Sequence, residues 1–337
     1  MSIQITATGR YVPKKILTNE DLSKIVETSD EWIFSHTGIK ERHIVSEEEA
    51  TSDLAYKAAM SALEVINLDN PKAAALNIEL IIVATASPDY PGFPSVACMV
   101  QDRIGAKNAA AFDILAGCTG FIYALDTAFC MMKAGGRKKA LVIGADALSR
   151  ITDWTDRNTC VLFGDGSGAA ILEYREDSLQ ENKKRGIHRS ILGADGSGAE
   201  YLQLRRGGTR NPFRAGEIVE KPTHIEMAGQ EVYLFAVNAI TKTIKKLLED
   251  EGLTINQVAK IVPHQANKRI ISAAAKRLSI SENTFFLNIE KYANTSAASV
   301  ALALDELAKG GSLQKGDIII TVGFGAGLTY GANLIVW

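Results

Sequence analysis

The chain is organised around the stretch Ala116-Gly117-Cys118-Thr119-Gly120, which opens an apolar helical run. Apolar residues recur behind it at helical spacing, and a Gly-Gly pair then ends the run as a helix C-cap would. This pattern predicts that Cys118 lies at the N-terminus of a mostly buried helix. The unpaired N–H groups and the helix dipole favour a thiolate there, so we expect the pKa of Cys118 to be lowered.

A lone cysteine is more often a small buried core residue than a nucleophile. That interpretation applies to the other three cysteines, Cys98, Cys130 and Cys160. Cys118 therefore needs catalytic partners elsewhere in the chain before a functional interpretation is preferred.

The composition is typical of a soluble globular protein with two domains or two halves. The chain has 337 residues, is 46% hydrophobic and has a formal net charge of −2 without a long basic block. The spacing of its four cysteines predicts neither a zinc site nor a disulfide framework. The N-terminus lacks an apolar signal core, and no apolar run reaches the roughly 18 residues of a membrane helix. We therefore expect a cytoplasmic protein with no nucleic-acid partner and no membrane partner.

The second half of the chain repeats the order of elements of the first. In both, a long helix precedes an apolar strand, and a helix ending in Gly-Gly precedes a further strand. The matched segments are 51–66 and 229–250, 78–86 and 259–263, 118–136 and 294–311, and 140–144 and 317–322. This repeat predicts two βα halves, residues 1–177 and 178–337, with Cys118 and Asn294 starting paired helices near a pseudo-twofold axis.

Two other segments have structural interpretations. The glycine-rich residues 163–170 invite comparison with a phosphate-binding loop, but they lack its Gly-Lys-Ser/Thr ending and lead into a strand. We interpret them as a structural turn. The polar residues 178–189 predict a connection between the halves, and residues 193–216, rich in Gly and Arg, predict a long surface loop.

Three distant motifs supply candidate partners for Cys118. His264 follows an apolar strand, where ligands bind in open α/β sheets, and Asn294 lies where a helix begins. Residues 323–327, GFGAG, follow the last strand, either as a tight turn or as a row of exposed N–H donors. Cys and His alone would suit a cysteine hydrolase. Two neutral donors, His264 and Asn294, suit an enolate oxygen better than they suit hydrolysis.

These motifs resemble those of a known family. The catalytic motifs of β-ketoacyl-[acyl-carrier-protein] synthase III are similar to residues 116–121 (AGCTGF), 262–267 (VPHQAN) and 292–299 (YANTSAAS). Residues 28–33, 163–166 and 323–327 match its other landmarks, and the resemblance runs from Ile3 to the C-terminus. It implies an α/β thiolase-like fold, with two duplicated βα halves in a five-layered α-β-α-β-α stack, and a homodimer.

The resemblance also implies a two-step reaction that needs no metal or bound cofactor. Cys118 would accept the acyl group of an acyl-CoA primer, with the backbone N–H groups of Cys118 and Ala326 as the oxyanion hole. His264 and Asn294 would then bind the thioester carbonyl of malonyl-acyl-carrier protein while it loses CO₂. Attack on the acyl-cysteine would give a 3-oxoacyl-carrier protein and initiate type II fatty-acid synthesis.

Further roles implied by the resemblance concern the binding of CoA. Trp32 and Arg157 would sandwich its adenine, with Thr28 at the same nucleotide end. His36 would lie near a CoA phosphate, and Asn267 would bind the pantetheine arm.

Other implied roles concern macromolecular partners. Arg269 and Lys268 would help to dock the acidic carrier protein, and Phe93 would reach into the acyl pocket of a partner subunit. The sequence departs from the family's pattern at His36, where an arginine is usual, and at Leu234, where a lysine commonly helps docking. Because a histidine is only partly charged at neutral pH, we expect primer binding to tighten towards about pH 6.

Two other functions stay open. His36 and Leu234 are compatible with a specialised acyl-CoA-primed condensing enzyme or acyltransferase of a secondary pathway. Cys118 and His264 alone are compatible with a thioester hydrolase. The primer itself, whether acetyl, branched or longer, depends on the volume of the pocket rather than on any motif.

Overall fold

Two mixed β-sheets organise the computed structural model, which describes residues 2–175, 185–217 and 223–337. The strands are β1 (Ser2–Tyr11), β2 (Lys15–Thr18), β3 (Glu41–Ile44), β4 (Leu80–Ala84), β5 (Ala110–Ile114), β6 (Lys139–Ala147), β7 (Asp165–Arg175), β8 (Gly186–Ala194), β9 (Leu202–Leu204), β10 (Ile225–Met227), β11 (Val258–Pro263), β12 (Ile318–Gly325) and β13 (Thr329–Val336). The helices are α1 (Asn19–Leu22), α2 (Asp30–Thr37), α3 (Thr51–Ile66), α4 (Pro71–Ala75), α5 (Val96–Ile104), α6 (Gly120–Gly135), α7 (Arg157–Cys160), α8 (Gly229–Asp250), α9 (Lys268–Leu278), α10 (Ile289–Tyr292) and α11 (Ala298–Lys309).

The two sheets have equivalent strand orders. The first runs β1-β7-β6-β4-β5, and the second, read from the same end, runs β8-β13-β12-β11. Parallel and antiparallel pairings also agree, because only β4 with β6 and β11 with β12 are parallel among the matched pairs. A single parallel bridge between Ile261 and Phe285 lies beside β11, on the side where β5 lies beside β4. The predicted boundary between residues 177 and 178 lies outside the described residues, so that division stays a prediction.

Three of the five apolar clusters among the described residues divide the molecule into layers. One cluster joins α6 and α11 to both sheets, so these two helices lie between the sheets. A second packs α3 and α5 on the outer face of the first sheet, and a third packs α8 and α9 on the second sheet. The interior strand β4 is buried along its whole length, as its unbroken apolar sequence requires in a sheet covered on both faces. The result is the α-β-α-β-α stack that the resemblance implies.

The glycine-rich segment at residues 163–170 is not the structural turn that we predicted. Most of it forms the first half of β7, which is buried and pairs with both β1 and β6. Its glycines allow α11 to approach the strand, because a Cβ at Gly168 would lie 2.5 Å from the backbone of Ala301. Close packing of a strand against a helix explains these glycines without a ligand.

Residues 178–184 of the predicted connection lie outside the described residues, and the rest of that connection differs from its prediction. Residues expected to form a polar connection include part of β8, an edge strand of the second sheet. Its charged residues are exposed along the strand, so its sequence resembled a linker. The predicted surface loop at residues 193–216 contains β9, which pairs with β10 in a two-stranded ribbon outside both sheets. No helix in the described parts of the chain has both the length and the apolar composition of a membrane span.

The approach of β6 to the start of α11 gives a test of the central packing. A Cβ at Gly144 would lie 2.3 Å from the carbonyl oxygen of Ala297. We expect Gly144→Ala to lower the free energy of unfolding by about 1–3 kcal/mol, because the backbone that precedes α11 must move. Urea unfolding measures this change. Gly196→Ala is the control, since its Cβ would meet no atom of residues 2–175, 185–217 and 223–337 within 4 Å; an equal loss in both variants would contradict the packing argument.

Candidate active site

Cys118 lies in a short 3-10 turn, Gly117–Thr119, immediately before α6. The turn that follows β12 packs directly against it. A Cβ at Gly117 would lie 2.9 Å from the backbone nitrogen of Ala326, and one at Gly325 would lie 2.6 Å from the backbone nitrogen of Cys118. Glycine is therefore required on both sides of this contact, which brings the Ala326 backbone next to the nucleophile candidate.

The thiol of Cys118 is nearly buried, with 9% of the residue exposed. The pKa of Cys118 is raised to about 12, mainly because the thiol is buried; the hydrogen bond with the Ser296 side chain lowers this pKa, and the charge of Asp146 raises it. The lowered pKa expected from the helix terminus is therefore wrong, because burial outweighs the terminus. The resting form of this side chain is the neutral thiol.

This raised pKa predicts a specific pH dependence of alkylation. Because the thiolate is the reactive form, the rate of Cys118 alkylation by iodoacetamide should rise about tenfold per pH unit between about pH 6 and pH 9, without a plateau. Mass spectrometry of the alkylated peptide measures the rate, with the exposed Cys98 as an internal comparison. A plateau near neutral pH would contradict the burial argument.

His264 follows β11 and is buried between two elements. Its Nδ1 lies 2.6 Å from the hydroxyl oxygen of Ser299 in the first turn of α11. Its ring packs edge-to-face on Phe324, with the ring centroids 5.2 Å apart. Burial lowers the pKa of His264 to about 3, so the imidazole is neutral at ordinary pH. A neutral ring is a hydrogen-bond donor at one nitrogen and an acceptor at the other.

Asn294 lies in the turn before α11, four residues earlier than the helix begins, rather than at the helix start that we predicted. Its backbone is fixed by hydrogen bonds with Leu162 and Gly164 at 2.9 and 3.0 Å. Its side-chain oxygen accepts a hydrogen bond from the backbone N–H of Ser296 at 2.9 Å. Among the described residues, none accepts a hydrogen bond from its Nδ2. The amide is therefore oriented by its oxygen and keeps a donor for a ligand.

Two cavities meet at Cys118. The first, which we call the entrance cavity, has a volume of about 430 Å³, and its lining includes Cys118, His264 and Asn294 together with Trp32 and His36 of α2. The second, the apolar cavity, has a volume of about 440 Å³. Its walls are mainly apolar and include Leu115, Leu148, Ile151, Leu202, Leu204 and Ile225. The structure thus brings Cys118, His264 and Asn294 together from three distant motifs.

Known proteins resemble this chain over its full length. The family model described as 3-oxoacyl-[acyl-carrier-protein (ACP)] synthase III matches residues 112–203, and the model for the C-terminal part of that synthase matches residues 248–337. β-Ketoacyl-[acyl-carrier-protein] synthase III of Clostridium acetobutylicum is 51% identical over 336 residues, which cover 100% of this chain and 99% of the relative. The chain belongs to the β-ketoacyl-[acyl-carrier-protein] synthase III family.

Two further comparisons agree with this assignment. The synthase III of Caldanaerobacter subterraneus subsp. tengcongensis is 52% identical over 334 residues, covering 99% of this chain and 97% of the relative. The crystal structure of 3-oxoacyl-[acyl-carrier-protein] synthase III from Aquifex aeolicus superposes with a TM-score of 0.89 at 44% identity, covering 100% of both chains. The thiolase-like α/β fold predicted from the synthase III motifs is thereby confirmed.

The residues that the synthase III resemblance assigns to the nucleotide end of CoA lie together on α2 and beside it. The ring of His36 stacks on that of Trp32, with centroids 4.5 Å apart. The guanidinium carbon of Arg157 lies 4.9 Å from the Trp32 ring centroid. An adenine ring held between Trp32 and Arg157 needs a separation of about 7 Å between the indole ring and the guanidinium, which allows two contacts of about 3.5 Å. The predicted sandwich therefore requires the Arg157 side chain to move. The hydroxyl of Thr28 is buried and has no hydrogen-bond partner among the described residues.

Asn267 and Arg269 have a positioning contact that the synthase III motifs did not predict. Asn267 caps α9 by accepting from the N–H of Arg269 at 2.8 Å, and its Nδ2 donates to the carbonyl of His36 at 3.1 Å. The Nε of Arg269 donates to the carbonyl of Ser35 at 3.2 Å. Both side chains therefore hold the C-terminal end of α2 against α9. Lys268 is exposed beside them.

Two residues assigned to partner contacts lie on the surface. Phe93 is 91% exposed in the loop between β4 and α5 and lines neither cavity of its own chain. Leu234 is half exposed on α8. The edge strand β5 follows the same loop and α5, and among the described strands it pairs only with β4.

Three residues next to the proposed catalytic residues were not identified from the sequence. Asp146, which lies at the end of β6, is fully buried and accepts hydrogen bonds from the hydroxyl of Ser87 at 2.8 Å and the N–H of Ala297 at 3.0 Å. Ser296 has a positive φ of 50° beside Cys118, and Ser299 contacts His264. Asp146 could have been identified from the sequence as an acidic residue at the carboxyl end of an apolar strand, because ligands bind at such ends.

Within residues 2–175, 185–217 and 223–337, no three His, Cys, Asp or Glu side chains are grouped closely enough to hold a metal ion.

Proposed function

We propose that this chain condenses an acyl-CoA primer with malonyl-acyl-carrier protein and so initiates type II fatty-acid synthesis. The observation that best supports this function is the meeting of three groups in the entrance cavity. These are a thiol, a neutral imidazole and an amide with a free donor, at Cys118, His264 and Asn294. A hydrolase needs a group that activates water, whereas two neutral donors suit an oxygen that becomes negative.

In the first half-reaction, the sulfur of Cys118 attacks the thioester carbon of the primer. The bond from carbon to the CoA sulfur breaks, and CoA leaves as the thiol with the proton that Cys118 gives up. The backbone N–H groups of Cys118 and Ala326 would stabilise the tetrahedral oxyanion, since the two backbones lie side by side. The acyl chain would then occupy the apolar cavity, whose walls suit a hydrocarbon.

In the second half-reaction, malonyl-acyl-carrier protein would reach Cys118 through the entrance cavity. His264 and the Nδ2 of Asn294 would donate hydrogen bonds to its thioester oxygen. Loss of CO₂ leaves the electron pair on the α-carbon as an enolate, which those donors stabilise. The α-carbon then attacks the acyl-cysteine, the bond from the acyl carbon to the Cys118 sulfur breaks, and the thiolate takes up a proton from solvent to regenerate the thiol. The chain's own side chains account for these steps, and we propose that no metal or bound cofactor takes part.

Several surface residues are suited to bind the partners that the family implies. Trp32, His36 and Arg157 would receive the nucleotide of CoA, and the exposed Lys268 and Arg269 would face the acidic carrier protein. We propose a homodimer formed through β5 and the neighbouring loop, because that edge has unpaired backbone groups and an exposed Phe93.

Product analysis tests the function directly. We expect the purified protein, given acyl-CoA and malonyl-acyl-carrier protein, to form a 3-oxoacyl-carrier protein and CO₂. Free acid as the only product would instead support the thioester hydrolase. A panel of acyl-CoAs identifies the primer by intact mass of the acyl-enzyme, and acceptance of primers unrelated to fatty-acid synthesis would favour a secondary pathway.

His36 predicts a weaker affinity for the primer than an arginine at this position would give. Its Nδ1 lies 2.7 Å from the carbonyl of Trp32, so that nitrogen carries a hydrogen and only Nε2 is available to a phosphate. Because a guanidinium is always charged and can bind a phosphate through two parallel N–H groups, we expect His36→Arg to tighten acyl-CoA binding to a Cys118→Ala background several-fold. Isothermal titration measures this change, and equal affinities in the two proteins would contradict the role.

A further inference from the structure

We propose that Ser299 fixes the tautomer of His264. Its hydroxyl donates to Nδ1, so that the single ring hydrogen stays on Nε2. Ser299 is thus a positioning residue for the second half-reaction, an inference about mechanism that rests on the proposed function. Nothing in the catalytic motif itself distinguishes the two tautomers of a neutral histidine.

The contact between the two side chains is short and buried. The hydroxyl oxygen of Ser299 lies 2.6 Å from Nδ1 of His264, and each residue is only 1% exposed. The same oxygen also lies 3.3 Å from the backbone nitrogen of Gln265, which can only donate. Ser299 belongs to the first turn of α11, whose residues are buried between the sheets.

Counting hydrogens decides the direction of the short contact. Ser299 has one hydroxyl hydrogen, and its oxygen accepts the N–H of Gln265. In the parts of the chain that the structure describes, Nδ1 of His264 is the one acceptor to which this hydroxyl is hydrogen-bonded. If Nδ1 carried the ring hydrogen, two donors would face each other or the buried hydroxyl would lose its acceptor. The arrangement that satisfies every group places the hydrogen on Nε2.

This tautomer matters because the two ring nitrogens lie on different sides. Nδ1 faces α11, whereas His264 lines the entrance cavity together with Cys118 and Asn294. A hydrogen on Nε2 makes His264 a donor towards the thioester oxygen. The other tautomer would present a lone pair to a developing negative charge and oppose decarboxylation. Acylation of Cys118 does not use this donor, so only the second half-reaction should depend on Ser299.

Nuclear magnetic resonance of ¹⁵N-histidine-labelled protein reads the tautomer without any substrate. The chain has five histidines, and a His264→Ala sample identifies the signals of this ring. We expect the wild-type protein to show the shifts of a neutral ring protonated at Nε2. Ser299→Ala should shift these signals towards a mixture of tautomers, and Ser299→Thr, which keeps the hydroxyl, should restore them.

Kinetics of the same variants test the consequence. We expect Ser299→Ala to slow condensation about tenfold to a hundredfold while the rate of acyl-enzyme formation stays unchanged, because an incorrect tautomer removes a transition-state contact. Ser299→Thr should recover most of the rate. Ser167→Ala is the matched control, since Ser167 is also fully buried but its hydroxyl has no hydrogen-bond partner among the described residues. It should leave both half-reactions unchanged.

Three results would overturn the proposal. They are wild-type signals with the hydrogen on Nδ1, unchanged His264 signals in Ser299→Ala, and an equal loss of acylation and condensation in that variant. The wild-type spectrum is decisive even where a variant does not fold. A wild-type ring protonated at Nε2 in a protein that forms no 3-oxoacyl product would support the tautomer assignment and refute the proposed function, so the two failures are distinguishable.

Discussion

Cys118→Ser should abolish acyl-enzyme formation, with a loss of at least about 10³-fold in the rate of acylation. The hydroxyl of serine is a much weaker nucleophile than a thiol unless an adjacent base removes its proton. The described residues that hydrogen-bond to this position offer the hydroxyl of Ser296, which is not a base at ordinary pH. We expect the variant to keep its fold, because serine is close to cysteine in size.

Intact mass spectrometry after incubation with acyl-CoA measures this loss. Cys160→Ser is the matched control, since Cys160 is also fully buried but lies on α7 and lines neither cavity. It should accept an acyl group at the wild-type rate. Persistent mass addition in Cys118→Ser, mapped to another side chain, would refute the assignment of the nucleophile.

His264→Ala and Asn294→Ala should separate the two half-reactions. Each removes a donor to an oxygen that becomes negative only when the malonyl group loses CO₂. Losing such a donor typically costs about 10² to 10³ in rate, so we expect condensation to fall by that factor in each variant. Acylation by acyl-CoA should stay within about threefold of the wild-type rate, because its oxyanion would be bound by backbone N–H groups.

Acyl-enzyme formation and CO₂ release are measured separately in these variants. His43→Ala serves as the control for the histidine, since its Nδ1 contacts the carbonyl of Pro13 and the residue lines neither cavity. If His264→Ala and Asn294→Ala lost acylation as completely as Cys118→Ser, the proposed division of roles would be wrong.

Much of the architecture could be predicted because it depends on local patterns. The bounds of α3 and α8, Thr51–Ile66 and Gly229–Asp250, agree with those read from the spacing of apolar residues. The first half of β7 was not predicted as a strand, because its glycines are typical of turns. In the structure these glycines make room for the close approach of α11. Such an approach is visible only once distant segments have packed.

The active-site motifs were predictable, but their environment was not. Cys118, His264 and Asn294 were found from three short segments that the fold brings together. The raised pKa of Cys118 follows from burial, which no local pattern reveals. The contact of Ser299 with His264 joins positions 35 residues apart, and that of Ala297 with Asp146 joins positions 151 apart. Polar contacts at such separations follow from tertiary packing rather than from spacing in the sequence.

The walls of the apolar cavity belong to two very different parts of the molecule. Its inner wall includes Cys118, Ser296 and Ala326, which lie where strands and helices pack backbone to backbone. Its outer wall includes Leu202, Leu204 and Ile225 of the ribbon formed by β9 and β10, which belongs to neither main sheet. The catalytic residues therefore lie in the tightly packed interior, whereas part of the proposed acyl site lies on a peripheral ribbon. If the acyl chain occupies this cavity as proposed, substitutions in the ribbon should change which primer is accepted while the catalytic residues stay the same.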